Sequence, residues 1–447
     1  MSGSVELNYQ KRKNNELFQQ FEEKLAVVNC QNYLPIYDKM FSLNASNWNS
    51  INLNNVRAIT RLTSPDTCQL INIKTLEEPE EAIFIKISPV LDSFKYIVGK
   101  YDVNDPHLFN LPKHASTELV HSELLDANNA SYVDAFFYYL TAQLLHTHKF
   151  VHGVDFYGSF LGVQNNFKLN VIDDIDYLIR SDFFVKQSNR LFQVDDYSHF
   201  MPQQIKLTPI HISDQNCSLH SIEDIECAFN KPTSPTLNEV TLTLNDASIR
   251  QTSANSSTKS SYSSCSSKTT LAEEEREEEE EDSASYETTL SDDPLFLTIP
   301  RFPVQLICLE KCKNTLDHLI LANQLTTSDE WISALFQIVV ILLCYQKLFS
   351  FTHNDLHTNN VMFVATHEKY IYYTYESNHY RVPTYGRIFK IIDFGRAIYT
   401  FNKRLFCSNS FKPGGDAASQ YNTEPYMDEQ KPRLDPNFSF EIGRAHV

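Results

Sequence analysis

Two short polar strings toward the end of the chain constrain its fold more than any other feature. The first, Phe351-Thr-His-Asn-Asp-Leu-His-Thr-Asn-Asn-Val-Met-Phe363, contains His353, Asp355 and Asn360. The second, Phe389-Lys-Ile-Ile-Asp-Phe-Gly-Arg396, ends an apolar run on Asp393-Phe394-Gly395. Each lies beside a stretch that reads as a strand. The gap from Asp355 to Asn360 lets one short loop aim both side chains into a single cleft.

Phosphoryl transfer is a chemistry that needs this set. It requires a carboxylate to orient and deprotonate an attacking hydroxyl, and oxygen ligands to hold Mg²⁺ on phosphates. Asp355 suits the first role, Asn360 and Asp393 the second. Taken singly, Asp355 and Asn360 read equally well as residues bonded to their own turn, and Asp393 as a strand-end cap. The two strings in this order, each next to an apolar strand, carry the functional reading.

Upstream, Val56-Arg-Ala-Ile-Thr-Arg-Leu-Thr63, Cys68-Gln-Leu-Ile-Asn-Ile-Lys-Thr75 and Ala82-Ile-Phe-Ile-Lys-Ile87 alternate as a three-stranded meander, with Ser64-Pro65-Asp66 as the first turn. Lys86 ends an apolar strand, where a buried ammonium needs an anionic partner; the alternative is a lysine on the solvated face of an edge strand. A helix is expected over about 131–148, with Val133, Phe136, Phe137, Leu140, Leu144 and Leu145 on one buried face. Asp134 on that helix, Glu123 and Glu118 are the candidate partners of Lys86, against a plain solvated charge. Residues 156–161 and 304–309 read as strands. Residues 329–349 are apolar nearly all round but interrupted by Gln337, the pattern of a buried core helix rather than a membrane span.

A meander with Lys86, a helix, a strand, a buried helix and the two strings, in that order, resembles the eukaryotic-type protein-kinase fold over 51–164 and 301–440. More closely, the chain resembles the serine/threonine protein kinases of nucleo-cytoplasmic large DNA (giant) viruses. Asn29-Cys-Gln-Asn-Tyr33, Phe94-Lys-Tyr96, residues 150–160, 352–360 and 390–399, and Tyr421-Asn-Thr-Glu-Pro-Tyr426 carry that closer resemblance. It implies an α+β, two-lobed fold with a small β-rich lobe and a larger, mainly helical lobe that is incomplete here at its C-terminal end. It also implies ATP and Mg²⁺ as cofactors and a protein substrate with a Ser/Thr acceptor. By the same resemblance Asp355 is the catalytic base, with His353 and His357 in its loop. Lys86 and Asp134 serve the phosphates, Glu310 and Cys312 lie in the hinge strand over the adenine, and Asn360 and Asp393 hold the metal.

This chain departs from the family at several points. No G-x-G-x-x-G lies between the first two strands, where glycines let backbone approach phosphates. His357 stands where most Ser/Thr kinases have lysine. The string H-x-D-L-H-x-x-N is shared with haspin-like kinases and with aminoglycoside and choline phosphotransferases. No A-P-E follows the second string, and Thr423-Glu-Pro-Tyr426 stands in for it. A small-molecule kinase and a non-catalytic kinase-fold scaffold are the alternatives.

Composition narrows the remaining choices. The net charge is −18, and half of it sits in 251–293, where twelve acidic residues face only Lys259, Lys268 and Arg276. The remainder offers no basic patch for nucleic acid. Nine cysteines occur without a C-x-x-C, as free thiols in a reducing compartment do. Residues 1–24 lack the apolar core of a signal peptide. The expected protein is cytoplasmic (host cytoplasm or virion if viral) with no membrane segment, and nothing here sets an oligomeric state.

The chain divides into an extension (1–50), the small lobe (51–164), an insert (165–300), the hinge and partial large lobe (301–440), and a tail (441–447). Glu441-Ile-Gly-Arg-Ala-His-Val447 matches a translated sequencing-library adapter and reads as non-native. Without the helices that follow in kinases, Trp331, Leu335, Ile338 and Leu342 are expected to meet water in part and the chain as written to be inactive. Within the insert, the first part (165–240) has apolar content enough to fold. The Ser/Thr-rich stretch 253–270 and the acidic run 273–282 cannot bury enough apolar surface to order, so 251–293 reads as a disordered tether. Replacing 251–293 by a short Gly/Ser linker is expected to leave the melting temperature unchanged. A lower Tm for the replaced chain would show that the segment holds structure.

Overall fold

Apolar runs on both sides of the acidic insert pair into one antiparallel sheet. A computed structural model describes residues 7–200, 294–415, 417 and 418. The expectations for 251–293, for 421–426 and for the tail 441–447 fall outside the described residues. The fold is α+β.

The large sheet contains β1 (Val27–Gln31), β2 (Arg57–Ser64), β3 (Thr67–Asn72), β4 (Glu80–Pro89), β5 (Phe156–Asn170) and β6 (Phe296–Glu310). Their order is β1-β5-β6-β4-β3-β2, and Gln193–Val194 adds a seventh strand beside β6. Every pair is antiparallel. Residues 302–309 of β6 are buried without alternation, which requires cover on both faces of the sheet. Helix α1 (Asn15–Leu25) brings Phe18 and Phe21 onto Phe160. Helix α2 (Ala130–His148) sets Tyr139 against Phe156.

The segment from Leu17 to Tyr37 is therefore part of the core and not an appended extension. Leu17, Phe21, Val27, Leu34, Ile36 and Tyr37 are buried with the sheet. Their Asn-rich surroundings are reconciled with burial by amide pairing: Asn14 Nδ2 donates to Asn32 Oδ1 at 2.6 Å and to Asn52 Oδ1 at 2.5 Å. The insert also begins later than expected. β5 and β6 stay paired as far as Asn170 opposite Phe296, so 165–170 and 296–300 are strand. Val171, Ile175, Leu178, Phe184 and Phe192 then return to the same core.

Helix α2 is capped by Asn129, whose side chain accepts from Ser131 N. It is buried all round from Ser131 to Leu144, rather than on one face, and Leu145 is only half-buried. Phe137 is its hub, with ring centroids 4.4 Å from Phe351, 4.7 Å from Phe394 and 5.3 Å from Tyr345. Helix α3 (Ser328–Phe349) starts on a Thr327/Glu330 capping box. Ala334, Gln337, Ile338, Ile341, Tyr345 and Phe349 form its buried stripe. The partial exposure expected along this helix is found at Leu335, 54% exposed, and at the half-buried Trp331 and Leu342, with Ile332 61% exposed beside them, whereas Ile338, also expected to meet water, is 9% exposed and lies in the buried stripe. Among the described residues α3 is also the one helix long and apolar enough to cross a membrane. Gln337 does more than interrupt it: Oε1 accepts from Phe389 N at 3.0 Å, satisfying a strand edge that a Leu would leave bare.

A second, three-stranded sheet holds the polar strings. Asn314–Thr315 pairs with β7 (Val361–Ala365), which pairs with β8 (Arg387–Ile391). Val361 faces Ile391, so the residues just outside that rung, Asn360 and Ile392, are neighbours. Between β7 and β8 a hairpin, Tyr370–Tyr375 with Asn378–Pro383, is added. His152, fully buried, joins these parts: Nδ1 meets Phe389 O at 2.7 Å and Nε2 meets Tyr373 OH at 2.8 Å. Gly153 follows it because any Cβ there would lie 2.3 Å from Thr141 O.

Burial lowers the His152 pKa to about 4. The unfolded chain binds this proton below about pH 6.5 and the folded chain only near its lower value, so stability is full above that range and falls on acidification through it. A loss of roughly 2 kcal/mol is expected on going from pH 7 to pH 5. Denaturant titrations of wild type and His152→Gln check this: the variant should lose much less on acidification, and equal losses would assign the effect elsewhere.

Candidate active site

Lys86 lies in β4 opposite Ile307 of β6, its side chain nine-tenths buried. An ammonium in that position must be paired. Nζ donates to Asp134 Oδ2 at 2.8 Å and to Asp393 Oδ1 at 3.0 Å. Of the three carboxylates considered for Lys86, the structure brings Asp134. Glu123 instead accepts from Tyr101 OH at 2.6 Å and Lys95 Nζ at 3.2 Å, and Glu118 pairs with Lys113 at 2.9 Å. Burial draws the Lys86 pKa down, but Asp134 and Asp393 outweigh it and the net shift is well upward. Burial raises the Asp134 pKa, and the nearby Asp393 adds to the rise, so that it reaches about 6 despite Lys86. Two carboxylates share one ammonium.

Helix α2 grips the second string at two points spaced i, i+4. Asp134 Oδ1 accepts from Phe394 N at 2.7 Å, and Tyr138 OH accepts from Asp393 N at 2.8 Å. Asp393 itself sits at φ 63°, a left-handed conformation that Asp tolerates better than most side chains. The Asp134 contact was legible in the sequence as a carboxylate on the expected helix. Tyr138 was not singled out, although its place one turn after Asp134 was the available signal.

The first string is tied to the second along its length. Thr352 and Ile398 exchange backbone hydrogen bonds at 2.8 and 3.0 Å. His353, expected among the catalytic residues, is instead a buried brace: Nε2 donates to Ile392 O at 3.0 Å, and Nδ1 accepts from Asp355 N at 3.3 Å. Burial lowers its pKa and favours this neutral, fully used ring. Ile392 N donates to Asn360 O at 3.0 Å. Asn360 Nδ2 donates to Asp355 O at 2.8 Å, which leaves its Oδ1 unengaged. Asp355 Oδ1 accepts from Arg396 Nη1 at 3.0 Å, and Oδ2 takes no hydrogen bond. His357 is exposed on the loop between Asp355 and Asn360.

An amide oxygen and a carboxylate on adjoining backbones are hard donors that suit Mg²⁺, a cation that completes its shell with water and phosphate oxygens. Asn360 Oδ1 and Asp393 would be those donors. Among the described residues no group of three or more His, Cys, Asp or Glu side chains forms a complete cage.

No protein-family model and no curated protein matches the chain.

Glu310 and Cys312, expected over the nucleotide, lie at the end of β6 and just beyond it. Glu310 Oε2 accepts from Lys390 Nζ at 2.6 Å and from Asp155 N at 3.1 Å. Lys390, buried and also donating to Gly153 O at 2.8 Å, needs that counter-charge, so the Glu310 carboxylate is committed to the strand beneath. Cys312 is partly buried, and burial, with Glu310 adding, pushes its thiol up to about 12 and keeps it neutral. The turn without glycines is a tight one, with Ser64 opposite Thr67. Ile83 N donates to Asp66 O, and Lys311 Nζ to Asp66 Oδ2 at 3.0 Å. Its tip stands level with Ile83, three residues and about 10 Å short of Lys86 along β4. A polar cavity of about 360 Å³ beside Asn14, Asn32 and Trp48 shares no lining residue with this site.

Lys86→Met leaves Asp134 and Asp393 buried without a cation. A loss of about 3–5 kcal/mol is expected at pH 7, shrinking toward pH 5 as the carboxylates take up protons. Thermal melts at both pH values test this; wild-type stability at pH 7 would show that the triad adds nothing net.

Proposed function

We propose that the chain is an ATP- and Mg²⁺-dependent phosphotransferase, most nearly a protein serine/threonine kinase. On this reading the fold is kinase-like and two-lobed: the large sheet with α2 is the smaller lobe, and β7, β8 and α3 begin the larger. The observation that carries the reading is the Lys86–Asp134–Asp393 triad, with the Asp355 and Asn360 loop hydrogen-bonded to its neighbour Ile392. Strand, helix and two loops converge on a charge arrangement of the kind phosphates need.

ATP bound with the metal supplies the phosphoryl group. Asp355 Oδ2 accepts the proton of the acceptor hydroxyl. Asn360 Oδ1 and Asp393 would hold the metal, and Lys86 would give up part of its carboxylate pairing for phosphate oxygens. His353 and Tyr138 fix the two loops so that little reorganisation precedes transfer. Gln337, which accepts from Phe389 N of β8, and Ser333, which donates to Pro383 O, support α3 as a packed helix of a soluble protein rather than a membrane span.

The short β2–β3 turn favours one second reading, a kinase-fold scaffold that binds no nucleotide. The two separate on one pair of measurements. Mg-ATP should raise the melting temperature of the wild-type chain, and Asp393→Asn should abolish that rise. Asp355→Asn should keep it while phosphotransfer falls by about 10² or more. A wild-type chain whose melting is indifferent to Mg-ATP would overturn the phosphotransferase reading in favour of the scaffold.

A further inference from the structure

Asp355 carries a partner that the chemistry above leaves unused. Arg396 directly follows Asp393-Phe394-Gly395, and its side chain is 4% exposed. Its guanidinium reaches Asp355 Oδ1 at 3.0 Å, and its backbone oxygen accepts from Asn354 Nδ2 at 2.8 Å. Asn354 directly precedes Asp355 and sits at φ 66°. The arginine is thus fastened both to the side chain of Asp355 and to the backbone step that presents it. A guanidinium presents its N–H donors in a rigid planar fork, so this contact fixes the direction of the carboxylate oxygen it meets. His357, which occupies the loop position where a lysine is usual, is exposed.

We propose that Arg396 is the positioning residue of the catalytic base: it holds Asp355 by Oδ1 and leaves Oδ2 open to the acceptor hydroxyl. The inference rests on the phosphotransferase reading. As the acceptor oxygen bonds to the γ-phosphorus, its proton passes to Asp355 Oδ2. The phosphorus–oxygen bond to ADP breaks with its electron pair on ADP. Fixing one oxygen removes rotation of the carboxylate, so the second oxygen meets the hydroxyl in one orientation.

The test is kcat and ATP KM for phosphotransfer by wild type, Arg396→Met and Arg396→Lys, with melting temperature measured alongside. The Met variant should lose about tenfold or more in kcat with ATP KM within about threefold. The Lys variant, still able to donate to Oδ1, should recover part of kcat. If the Met variant does not fold, Arg396→Gln, too short to reach Oδ1 in the same way, replaces it with the same expectation. A folded Met or Gln variant with kcat within about twofold of wild type, or a Lys variant no faster than the Met variant, would mark Arg396 as purely structural and overturn this inference alone. Absence of transfer by the wild-type chain would overturn the reading it rests on as well.

Discussion

One ammonium shared between two carboxylates organises this molecule. Lys86 belongs to a strand of the large sheet, Asp134 to a helix packed upon it, and Asp393 to a loop that follows β8. None of the three charges is tolerable alone at that depth, so the folded state must assemble all three or none. That requirement draws the second string against α2, and Tyr138 and the second oxygen of Asp134 then take up its backbone amides. The aromatic cluster around Phe137 closes beneath. Its Phe351 and Phe394 come one from each string, so the packing of rings and the pairing of charges specify the same arrangement.

The two loops are built alike. Each contains an Asx residue in the left-handed region, Asn354 just before Asp355 and Asp393 at the head of its own string. Such backbones cost of order 1–3 kcal/mol and persist only where the surroundings over-determine them. Here His353, Asn360 and Arg396 supply that restraint with hydrogen bonds running between the strings. The backbone around Asp355 and Asp393 is consequently held in one arrangement, while the β2–β3 turn stops about 10 Å short of Lys86 along β4.

How much of this was legible in the sequence follows from how local each signal is. Strings of contiguous residues announced Asp355, Asn360 and Asp393, because their spacing is fixed by the chain itself. Lys86 and Asp134 were legible as charges in apolar periodic segments, where a partner is compulsory. Residues whose roles arise only from long-range juxtaposition were not legible in that way. Arg396 reads as a surface arginine until Asp355 is beside it, and Glu310 reads as a hinge residue until Lys390 claims it. The opening segment misled for a related reason. Its asparagines suggest a solvated extension, whereas Asn14, Asn32 and Asn52 satisfy one another and let Leu17, Phe21 and Val27 be buried. Helix α3 was legible in part: exposure was expected and is found at Leu335, but Ile338 is buried, since an almost wholly apolar sequence says nothing about which side finds neighbours.

The long pairing of β5 with β6 has a consequence for how the chain tolerates change. Val171 to Val194 return to the core and the sheet, and Asp195 N then donates to Phe296 O at 3.0 Å, so the chain joining Asp195 to Phe296 leaves and re-enters the fold at nearly the same point. Closing such a loop carries an entropy that grows only with the logarithm of its length, about 0.6 kcal/mol for each doubling. Growth or shrinkage of this connection is therefore close to neutral for the sheet and for the lysine it carries. Drift in length and composition can accumulate there while selection on the paired strands continues undisturbed.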